Sequence, residues 1–502
     1  MRTSSRKRSR GMTASRILFR TDGNSLIGLG HLTRCLALAD MLASDFVCTF
    51  ALREPSATVE AQVQQAGFTV LHVPLGLTLT DEPDWLRAQI STPDILVLDG
   101  YHFTPSYQQQ LKQHRQAVVY LDDLVSHYMW ADVVLNQAGG ISASSYRHEP
   151  GTQLCLGPAY ALLRRPFRES ATLPRNAPDT NRVFLNMGGA DPENHTLAAL
   201  KQVLQWLPQH RFEVVTGSAY PHQATLQAAT QDWPNVQLHH NLTAEQMAVM
   251  LQRCGIYICP PSGIAYECCA VGGLVLLHLI ADNQQHLFTY LTENGLALPV
   301  SQLATLPTAE LPATAHRLQQ RQQAVFDGLA AERLRQVFRT LALSYALTAR
   351  RATAADSKQY LLWANDPAVR SNAIRQETIA WEQHQRWFSR RLDDAETYLY
   401  YFEQQGQPVG QVRLEFTGSE ALIDYSVAAT ARGQGLGLAV LLRAILELRR
   451  ERPGPWTLVA QVKAGNLPSR RVFERVGFAL QPAVQLHGST FDVFRLPFLP
   501  PN

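Results

Sequence analysis

One stretch near the start of the sequence combines glycines, a histidine and charged residues in an order suited to hydrolytic chemistry. Residues 22–35 read DGNSLIGLGHLTRC, follow a short apolar run and lead into a helical pattern. Glycines at such a junction let backbone N–H groups approach a phosphate or a sugar, and the helix N-terminus adds a positive end. His31 falls in the first helical turn, where a cation is disfavoured, so we predict a neutral imidazole suited to act as a general base. The alternative is a histidine that caps the helix or faces solvent.

Four later segments place glycines and polar residues where predicted strands end or lead into helices. They read DGY at 99–101, NMGGAD at 186–191, PSGIAYE at 261–267 and ADNQ at 281–284. Ligands of parallel sheets bind outside the carboxyl ends of the strands. Each segment alone is equally typical of an ordinary turn, but four of them in chain order favour a ligand cleft.

A second glycine loop indicates another phosphate site near the end of the chain. The sequence RGQGLG at 432–437 follows a predicted strand at 423–427 and opens a predicted helix. Backbone N–H groups in such a loop can hold a pyrophosphate. A further strand is predicted at 458–462, and the segments NLPS at 466–469 and FERVGF at 473–478 follow it.

Strand-like apolar runs alternate with helical patterns through the first two thirds of the chain, which predicts an α/β fold with parallel sheets. We predict two doubly wound Rossmann-like halves, at 16–165 and 166–346, with a linker near 164–181 and a cleft between them. Residues 349–498 have a different pattern and are predicted to form a separate α+β domain, whereas 1–15 are predicted to be a disordered basic tail.

Composition excludes several classes of protein. Of 502 residues, 46% are hydrophobic and 17% are charged, which excludes a mostly disordered chain. The net charge of +3 without a basic stripe argues against a nucleic-acid partner. No apolar run reaches about 18 residues, so no membrane span is expected. None of the seven cysteines forms a C-x-x-C pair, so we expect reduced cysteines, a cytoplasmic protein and no metal.

The motifs of the first two thirds resemble the UDP-sugar hydrolase family of pseudaminic acid biosynthesis, itself similar to GT-B-type glycosyltransferases. The resemblance spans about 16–340 and rests on RTDGNSLIGLGHLTRC, LDGYHF, LDDL with ADVVLNQ, NMGGADPENHT, PPSGIAYECCAVG and ADNQ. It implies a GT-B arrangement of the two halves. It also implies that His31 is the catalytic residue, which activates water against the anomeric carbon of a UDP-sugar.

The same resemblance implies the residues that bind this sugar nucleotide. Gly188 and Gly189 would face the pyrophosphate, and Glu267 would hold the ribose. Asp22 and Arg34 would orient His31 or the sugar, with an ordinary salt bridge as the alternative. The complete substrate-binding set is Asp22, Gly30, Arg34, Tyr101, Gly188, Gly189, Ser262, Gly263, Glu267, Asn283 and Gln284.

The motifs of the last third resemble the GNAT acetyltransferase superfamily over about 351–495, whose pyrophosphate loop reads Q/R-x-x-G-x-G/A. The resemblance implies acetyl-CoA as cosubstrate. The residues that would bind it are Val427, Arg432, Gly433, Gln434, Gly435, Gly437, Asn466 and Ser469. Many members place a tyrosine seven residues after the asparagine as the acid for the leaving thiolate, but Phe473 stands there in this chain. The acid is therefore another residue, water, or none.

The acceptor of the acetyl group is indicated by an aromatic and polar pattern early in this domain. The pattern W-x-N-D-x-x-V-R at 363–370, followed by H-x-x-W-F at 384–388, looks like the amino-sugar N-acetyltransferase of the same pathway. Tryptophan faces suit stacking on uracil or a sugar, with a core position as the alternative. Glu415 and Asp424 are candidate bases for an amine, with exposed strand carboxylates as the alternative.

Together the two resemblances imply a bifunctional enzyme with a UDP-linked amino sugar and acetyl-CoA as partners. It would acetylate the 4-amino group of UDP-4-amino-4,6-dideoxy-N-acetyl-β-L-altrosamine. It would then hydrolyse the product, UDP-2,4-diacetamido-2,4,6-trideoxy-β-L-altropyranose, to the free sugar and UDP. Related diacetamido sugars stay open. The alternative is a UDP-sugar glycosyltransferase fused to a protein or small-molecule N-acetyltransferase.

Overall fold

The described part of the chain contains three β-sheets that follow one another in sequence. We describe residues 15–23 and 30–499 of the 502 from a computed structural model. The predicted basic tail at 1–15 lies outside the described residues except for its last position, and residues 24–29 of the first glycine stretch lie outside them too. Two parallel sheets and then a mixed sheet confirm the predicted α/β character.

The first sheet is parallel throughout. Its strands are β1 (Arg16–Thr21), β2 (Val47–Leu52), β3 (Thr69–His72), β4 (Ile95–Asp99), β5 (Ala117–Leu121), β6 (Val133–Asn136) and β7 (Gln153–Leu156). Its helices are α1 (Gly30–Leu42), α2 (Ala57–Gln65), α3 (Glu82–Gln89) and α4 (Pro105–Gln113). The strand order is β3-β2-β1-β4-β5-β6-β7, so the direction of winding reverses between β1 and β4. Ligands of open parallel sheets bind at such a reversal.

The second sheet repeats this design. Its strands are β8 (Arg182–Leu185), β9 (Arg211–Thr216), β10 (Val236–His240), β11 (Ile256–Cys259), β12 (Leu274–Leu277) and β13 (Leu298–Pro299). The helices are α5 (Arg165–Thr172), α6 (His195–Trp206), α7 (Gln223–Thr230), α8 (Ala244–Arg253), α9 (Gly263–Val271), α10 (Gln285–Glu293) and α11 (Leu311–Val325). The next helix, α12 (Ala330–Ala346), returns to the first sheet and packs in its core. The order β10-β9-β8-β11-β12-β13 reverses between β8 and β11.

The third sheet is mostly antiparallel. Its strands are β14 (Thr348–Arg351), β15 (Thr397–Gln404), β16 (Gln407–Thr417), β17 (Glu420–Val427), β18 (Trp456–Lys463), β19 (Ala479–Leu486) and β20 (Ser489–Phe498). The helices are α13 (Ser357–Ala364), α14 (Pro367–Asn372), α15 (Trp381–Leu392), α16 (Leu436–Glu451) and α17 (Leu467–Val476). The central strands β17 and β18 are parallel and pair only from Glu420 to Leu422. Their carboxyl halves therefore leave backbone groups free for a ligand.

A buried ion-pair network beside the first sheet predicts a large stability effect. Arg20 on β1 and Glu82 on α3 are fully buried and joined at 2.6 Å, and Tyr107 donates to the same Glu82 carboxylate at 2.9 Å. Burial alone would raise the pKa of Glu82, but its hydrogen bonds with Arg20 and Arg53 outweigh burial and lower it. Glu82→Gln leaves Arg20 without this partner, so we expect a loss of about 3–5 kcal/mol of unfolding free energy at pH 7.

Urea denaturation followed by circular dichroism measures this effect. The matched control is Glu60→Gln, because Glu60 forms an exposed pair with His72 and should cost below about 1 kcal/mol. A carboxylate with a lowered folded pKa stabilises above its unfolded pKa, and this stabilisation is lost as the pH falls through the folded pKa. The difference in unfolding free energy between Glu82→Gln and wild type should therefore become smaller below about pH 4. Equal stability of the two Gln variants at pH 7 would contradict the prediction.

Candidate active sites

The side chain of His31 lies at the winding reversal of the first sheet. It is on the first turn of α1, and its Nδ1 is 2.6 Å from Asp99 Oδ1 at the carboxyl end of β4. Asp99 is fully buried and His31 is 7% exposed. A carboxylate only accepts hydrogen bonds, so Nδ1 carries the hydrogen and Nε2 keeps a free lone pair. This is the tautomer that a histidine general base needs.

Arg34 holds the Asp99 carboxylate in place. It lies one helical turn after His31, and it donates to Asp99 from Nε at 2.7 Å and from Nη2 at 2.5 Å. Its Nη1 also reaches Asp123, in the loop after β5, at 2.9 Å. Burial alone would raise the pKa of Asp99, but the hydrogen bonds and charge of Arg34 lower it below its ordinary value. Asp99 therefore stays ionised and can stabilise a positive charge that develops on His31.

The other predicted residues of this half have different surroundings. Tyr101 is 58% exposed, and its ring meets that of His31 edge-on at 4.9 Å. Asp22 forms a salt bridge with Arg20 at 2.7 Å rather than contacting His31. Arg34, by contrast, lies directly beside His31, with its Nη2 3.0 Å from His31 Nδ1. Gly30 is the first residue of α1.

The second sheet gathers its predicted residues at its own reversal point. Gly188 and Gly189 follow β8, and a Cβ on Gly217 after β9 would lie 2.3 Å from Gly189 O. The two loops thus pack backbone against backbone. Ser262 is the N-cap of α9, which begins at Gly263 next to the end of β11.

Three more predicted residues belong to the second sheet and its helices. The Glu267 carboxylate on α9 is held by Arg164 through two hydrogen bonds of 2.7 and 2.8 Å. A ribose hydroxyl that bound the Glu267 carboxylate would therefore share it with the guanidinium of Arg164. Asn283 and Gln284 form a short turn before α10, and Gln284 Oε1 accepts a hydrogen bond from Ile280 N at 3.2 Å.

Contacts join the carboxyl ends of the two parallel sheets. Tyr266 on α9 accepts from Gly139 N at 3.1 Å and donates to Gln137 O at 3.0 Å, in the loop after β6. His286 Nε2 on α10 donates to Gly139 O at 2.9 Å. These hydrogen bonds tether the loop after β6 to the helices of the second sheet.

A cavity of about 1150 Å³ opens where β17 and β18 diverge. Seven of the eight predicted acetyl-CoA residues line it, namely Val427, Arg432, Gly433, Gly435, Gly437, Asn466 and Ser469. The eighth, Gln434, instead turns its side chain to donate to Thr430 O at 3.1 Å. Gly435 is the N-cap of α16 with a φ of +77°, a conformation that favours glycine.

A tyrosine that the sequence reasoning missed lies in this cavity wall. Phe473 is buried, and its ring meets Tyr425 on β17 edge-on at 5.6 Å. The Tyr425 hydroxyl donates to Ser469 Oγ at 3.3 Å, and burial raises the pKa of this phenol. A neutral phenol is therefore present beside α17. The signal available in the sequence was its position on the strand that precedes the glycine loop.

The acceptor-side residues divide between core and cavity. Trp363 is buried in the core of the third sheet, whereas Trp387 lines the cavity with Arg413 over its ring at 5.3 Å. The carboxylate of Glu415 is paired with Arg391 at 2.8 Å and Arg413 at 3.2 Å. Asp424 lines the cavity and is the more available of the two carboxylates named as bases.

Three further features of the described residues concern metal binding, membrane spans and cysteines. They contain no group of three or more histidine, cysteine, aspartate or glutamate side chains that could hold a metal ion. Among the same residues, no helix is both long and apolar enough to cross a bilayer. All seven cysteines are buried and unpaired.

Comparison with known proteins gives a match to one domain family and similarity to two curated relatives. Residues 346–479 match the acetyltransferase (GNAT) domain family. The UDP-2,4-diacetamido-2,4,6-trideoxy-beta-L-altropyranose hydrolase of Campylobacter jejuni is 23% identical over 300 residues, which are 56% of this chain and 97% of that protein. An uncharacterized protein of Methanocaldococcus jannaschii is 21% identical over 386 residues, 74% of this chain and 77% of its own length.

Among solved structures, a ribosomal-protein-alanine N-acetyltransferase from Brucella melitensis is 25% identical, with a TM-score of 0.27. The match covers 30% of this chain and 99% of that one. The GNAT family match is confined to residues 346–479, whereas the match to the Campylobacter relative covers 56% of the chain. This chain is therefore an enzyme in which a region homologous to the Campylobacter hydrolase is fused to a GNAT acetyltransferase domain.

Proposed function

We propose that this chain acetylates a UDP-linked amino sugar with acetyl-CoA and then hydrolyses the acetylated UDP-sugar. The acetyl acceptor is UDP-4-amino-4,6-dideoxy-N-acetyl-β-L-altrosamine. The sugar released with UDP is 2,4-diacetamido-2,4,6-trideoxy-β-L-altropyranose. One observation carries the proposal. A region similar to the Campylobacter hydrolase over 97% of that protein's length occurs in the same chain as a GNAT domain. The first would consume what the second makes.

The proposed organisation follows the sequence prediction. Residues 16–165 and 166–346 form two Rossmann-like halves in a GT-B arrangement, and 349–498 form the acetyltransferase domain. The two parallel sheets, each with its own winding reversal, support this division. Buried unpaired cysteines support a reducing, cytoplasmic location. Neither a metal nor a nucleic-acid or membrane partner enters the proposal.

In the hydrolytic step, His31 acts as the base. The oxygen of a water attacks the anomeric carbon while Nε2 of His31 takes the water proton. The bond from the anomeric carbon to the phosphate oxygen breaks, and UDP leaves with its electron pair. The ionised Asp99, only 2.6 Å from Nδ1, stabilises the imidazolium that forms. Gly188, Gly189 and the N-terminus of α9 would hold the diphosphate.

In the acetylation step, the 4-amino nitrogen attacks the thioester carbonyl carbon. The carbon–sulfur bond breaks, and the departing thiolate takes a proton from the Tyr425 hydroxyl in place of the tyrosine that Phe473 replaces. Asp424 at the cavity wall accepts the proton of the amine. The support for Tyr425 is its neutral hydroxyl beside Ser469 and its place in the cavity.

Tyr425→Phe tests the proton donor. We expect kcat for acetyl transfer to fall by about 10²-fold with little change in the KM for acetyl-CoA, because a general acid acts in the transition state. The matched control is Tyr400→Phe, which removes a buried hydroxyl that has no partner among the described residues. Loss of the hydroxyl at 425 without a change in kcat would contradict the role.

Because burial raises the pKa of Tyr425 above its ordinary value, the wild-type rate should not decline through loss of this proton below about pH 10. Steady-state rates between pH 7 and 10, measured by thiol release, check this. A fall in rate as the pH rises through about 8 would point to another donor.

A coupled assay tests the function as a whole. The full chain is incubated with the 4-amino UDP-sugar, with and without acetyl-CoA, and the products are followed by NMR and mass spectrometry. Free diacetamido sugar and UDP should appear only when acetyl-CoA is present. Acetylation without UDP release would favour a glycosyltransferase that lacks its acceptor. Release of UDP without acetylation would contradict the proposed order of steps.

A further inference from the structure

Helix α12 belongs to the core of the first sheet. Leu334 and Phe338 are fully buried there, and Leu341 and Tyr345 are nearly so. They pack with residues of α1, the helix that carries His31. The helix ends at Ala346, and the first strand of the third sheet begins at Thr348.

A different face of α12 lines the cavity of the acetyltransferase domain. Gln336 and Thr340 are part of the cavity wall. A Cβ added to Gly435, the N-cap of α16, would lie 3.8 Å from Gln336 Nε2. Thr340 Oγ1 donates to Gln336 O at 2.9 Å and accepts from Gln336 Nε2 at 3.4 Å. The amide of Gln336 is thus held next to the glycine loop.

Apolar contacts and ion pairs between the first sheet and the third sheet hold this wall in place. Leu343 packs against the core of the third sheet, and Leu446 on α16 packs against the core of the first. Arg115 pairs with Glu447 at 3.3 Å, and Arg449 forms an ion pair with the buried Glu149. The cavity wall is therefore built from both parts of the chain.

We propose that Gln336 is a coenzyme A ligand that the hydrolase-like part supplies to the acetyltransferase. Its side-chain N–H donates to a phosphate oxygen of the cofactor held at the N-terminus of α16, and Thr340 positions it. This inference rests on the proposed use of acetyl-CoA. A hydrogen bond to a charged phosphate is stronger than one between neutral groups. The acetyltransferase site is incomplete without α12.

Isothermal titration of the full chain with acetyl-CoA tests the contact. Gln336→Glu keeps the size of the side chain but turns a carboxylate toward phosphate, so we expect Kd to rise about tenfold or more. Gln336→Ala should raise it about threefold. The matched control is Gln323→Glu on an exposed position of α11 outside the cavity, which should leave Kd unchanged.

Acetyl-pantetheine, which carries no phosphate, separates a phosphate contact from a general disturbance. Its KM should be the same in wild type and Gln336→Glu. If Gln336→Glu raised the KM for acetyl-pantetheine as much as it raised the Kd for acetyl-CoA, the contact would be overturned. A wild-type Kd for acetyl-CoA in both Gln336 variants would also overturn it. Either result would leave acetyl-CoA use intact. If the wild-type chain bound no acetyl-CoA, both the contact and the proposed acetylation would fail.

Discussion

His31→Ala should lower the rate of UDP release by about 10²–10⁴-fold, the range in which positioned general bases contribute. The reason is geometric. Nδ1 is occupied by Asp99 at 2.6 Å, so Nε2 is the lone pair available to a water. The measurement is release of UDP from UDP-2,4-diacetamido-2,4,6-trideoxy-β-L-altropyranose, followed by NMR. Acetyl transfer by the same variant should continue at the wild-type rate, because His31 belongs to the first sheet and not to the acetyltransferase cavity.

The control for this variant is another histidine of the same sheet. His72→Ala removes an imidazole from β3 whose side chain is 58% exposed and pairs only with Glu60 among the described residues. It should leave UDP release unchanged. UDP release at the wild-type rate in His31→Ala would remove the base from the mechanism and leave Asp99 and Arg34 as a structural ion pair.

Gly435→Glu should lower acetyl transfer by more than about 10²-fold while UDP release is unaffected. Two effects combine. At a φ of +77° a residue with a Cβ is strained, at a cost of about 1–2 kcal/mol. The new carboxylate would also stand at the start of α16, where a phosphate is expected to bind, and would repel it. Thiol release and acetyl-CoA titration measure the two consequences.

A second glycine provides the matched control. Gly418, in the turn between β16 and β17, also has a positive φ, +65°, and open space around its Cβ position. Gly418→Glu carries the same strain and charge but lies outside the cavity, so acetyl transfer should persist. Survival of acetyl transfer in Gly435→Glu would mean that this loop does not hold the pyrophosphate.

Much of the fold could be predicted from local patterns. The apolar runs at 95–98 and 118–121 became strands β4 and β5, because fully buried parallel strands are apolar on both faces. The glycine loop at 432–437 predicted the start of α16, because positive φ angles at its glycines need the absence of a Cβ. The motifs also indicated the fusion of a hydrolase homologue and a GNAT domain, which the comparisons confirm.

The sequence by itself determined the residue types, the strands that precede them and the two glycine loops. Only the tertiary structure decided which side chains meet. His31 and Asp99 are 68 positions apart and are joined because β1 and β4 are neighbours at a winding reversal. Tyr425 reaches Ser469 because β17 and α17 converge, and Gln336 reaches the acetyltransferase cavity because α12 packs between two cores. A local sequence pattern shows only which residues of one segment are buried and at what spacing. These contacts depend instead on strand order and helix packing across the whole chain.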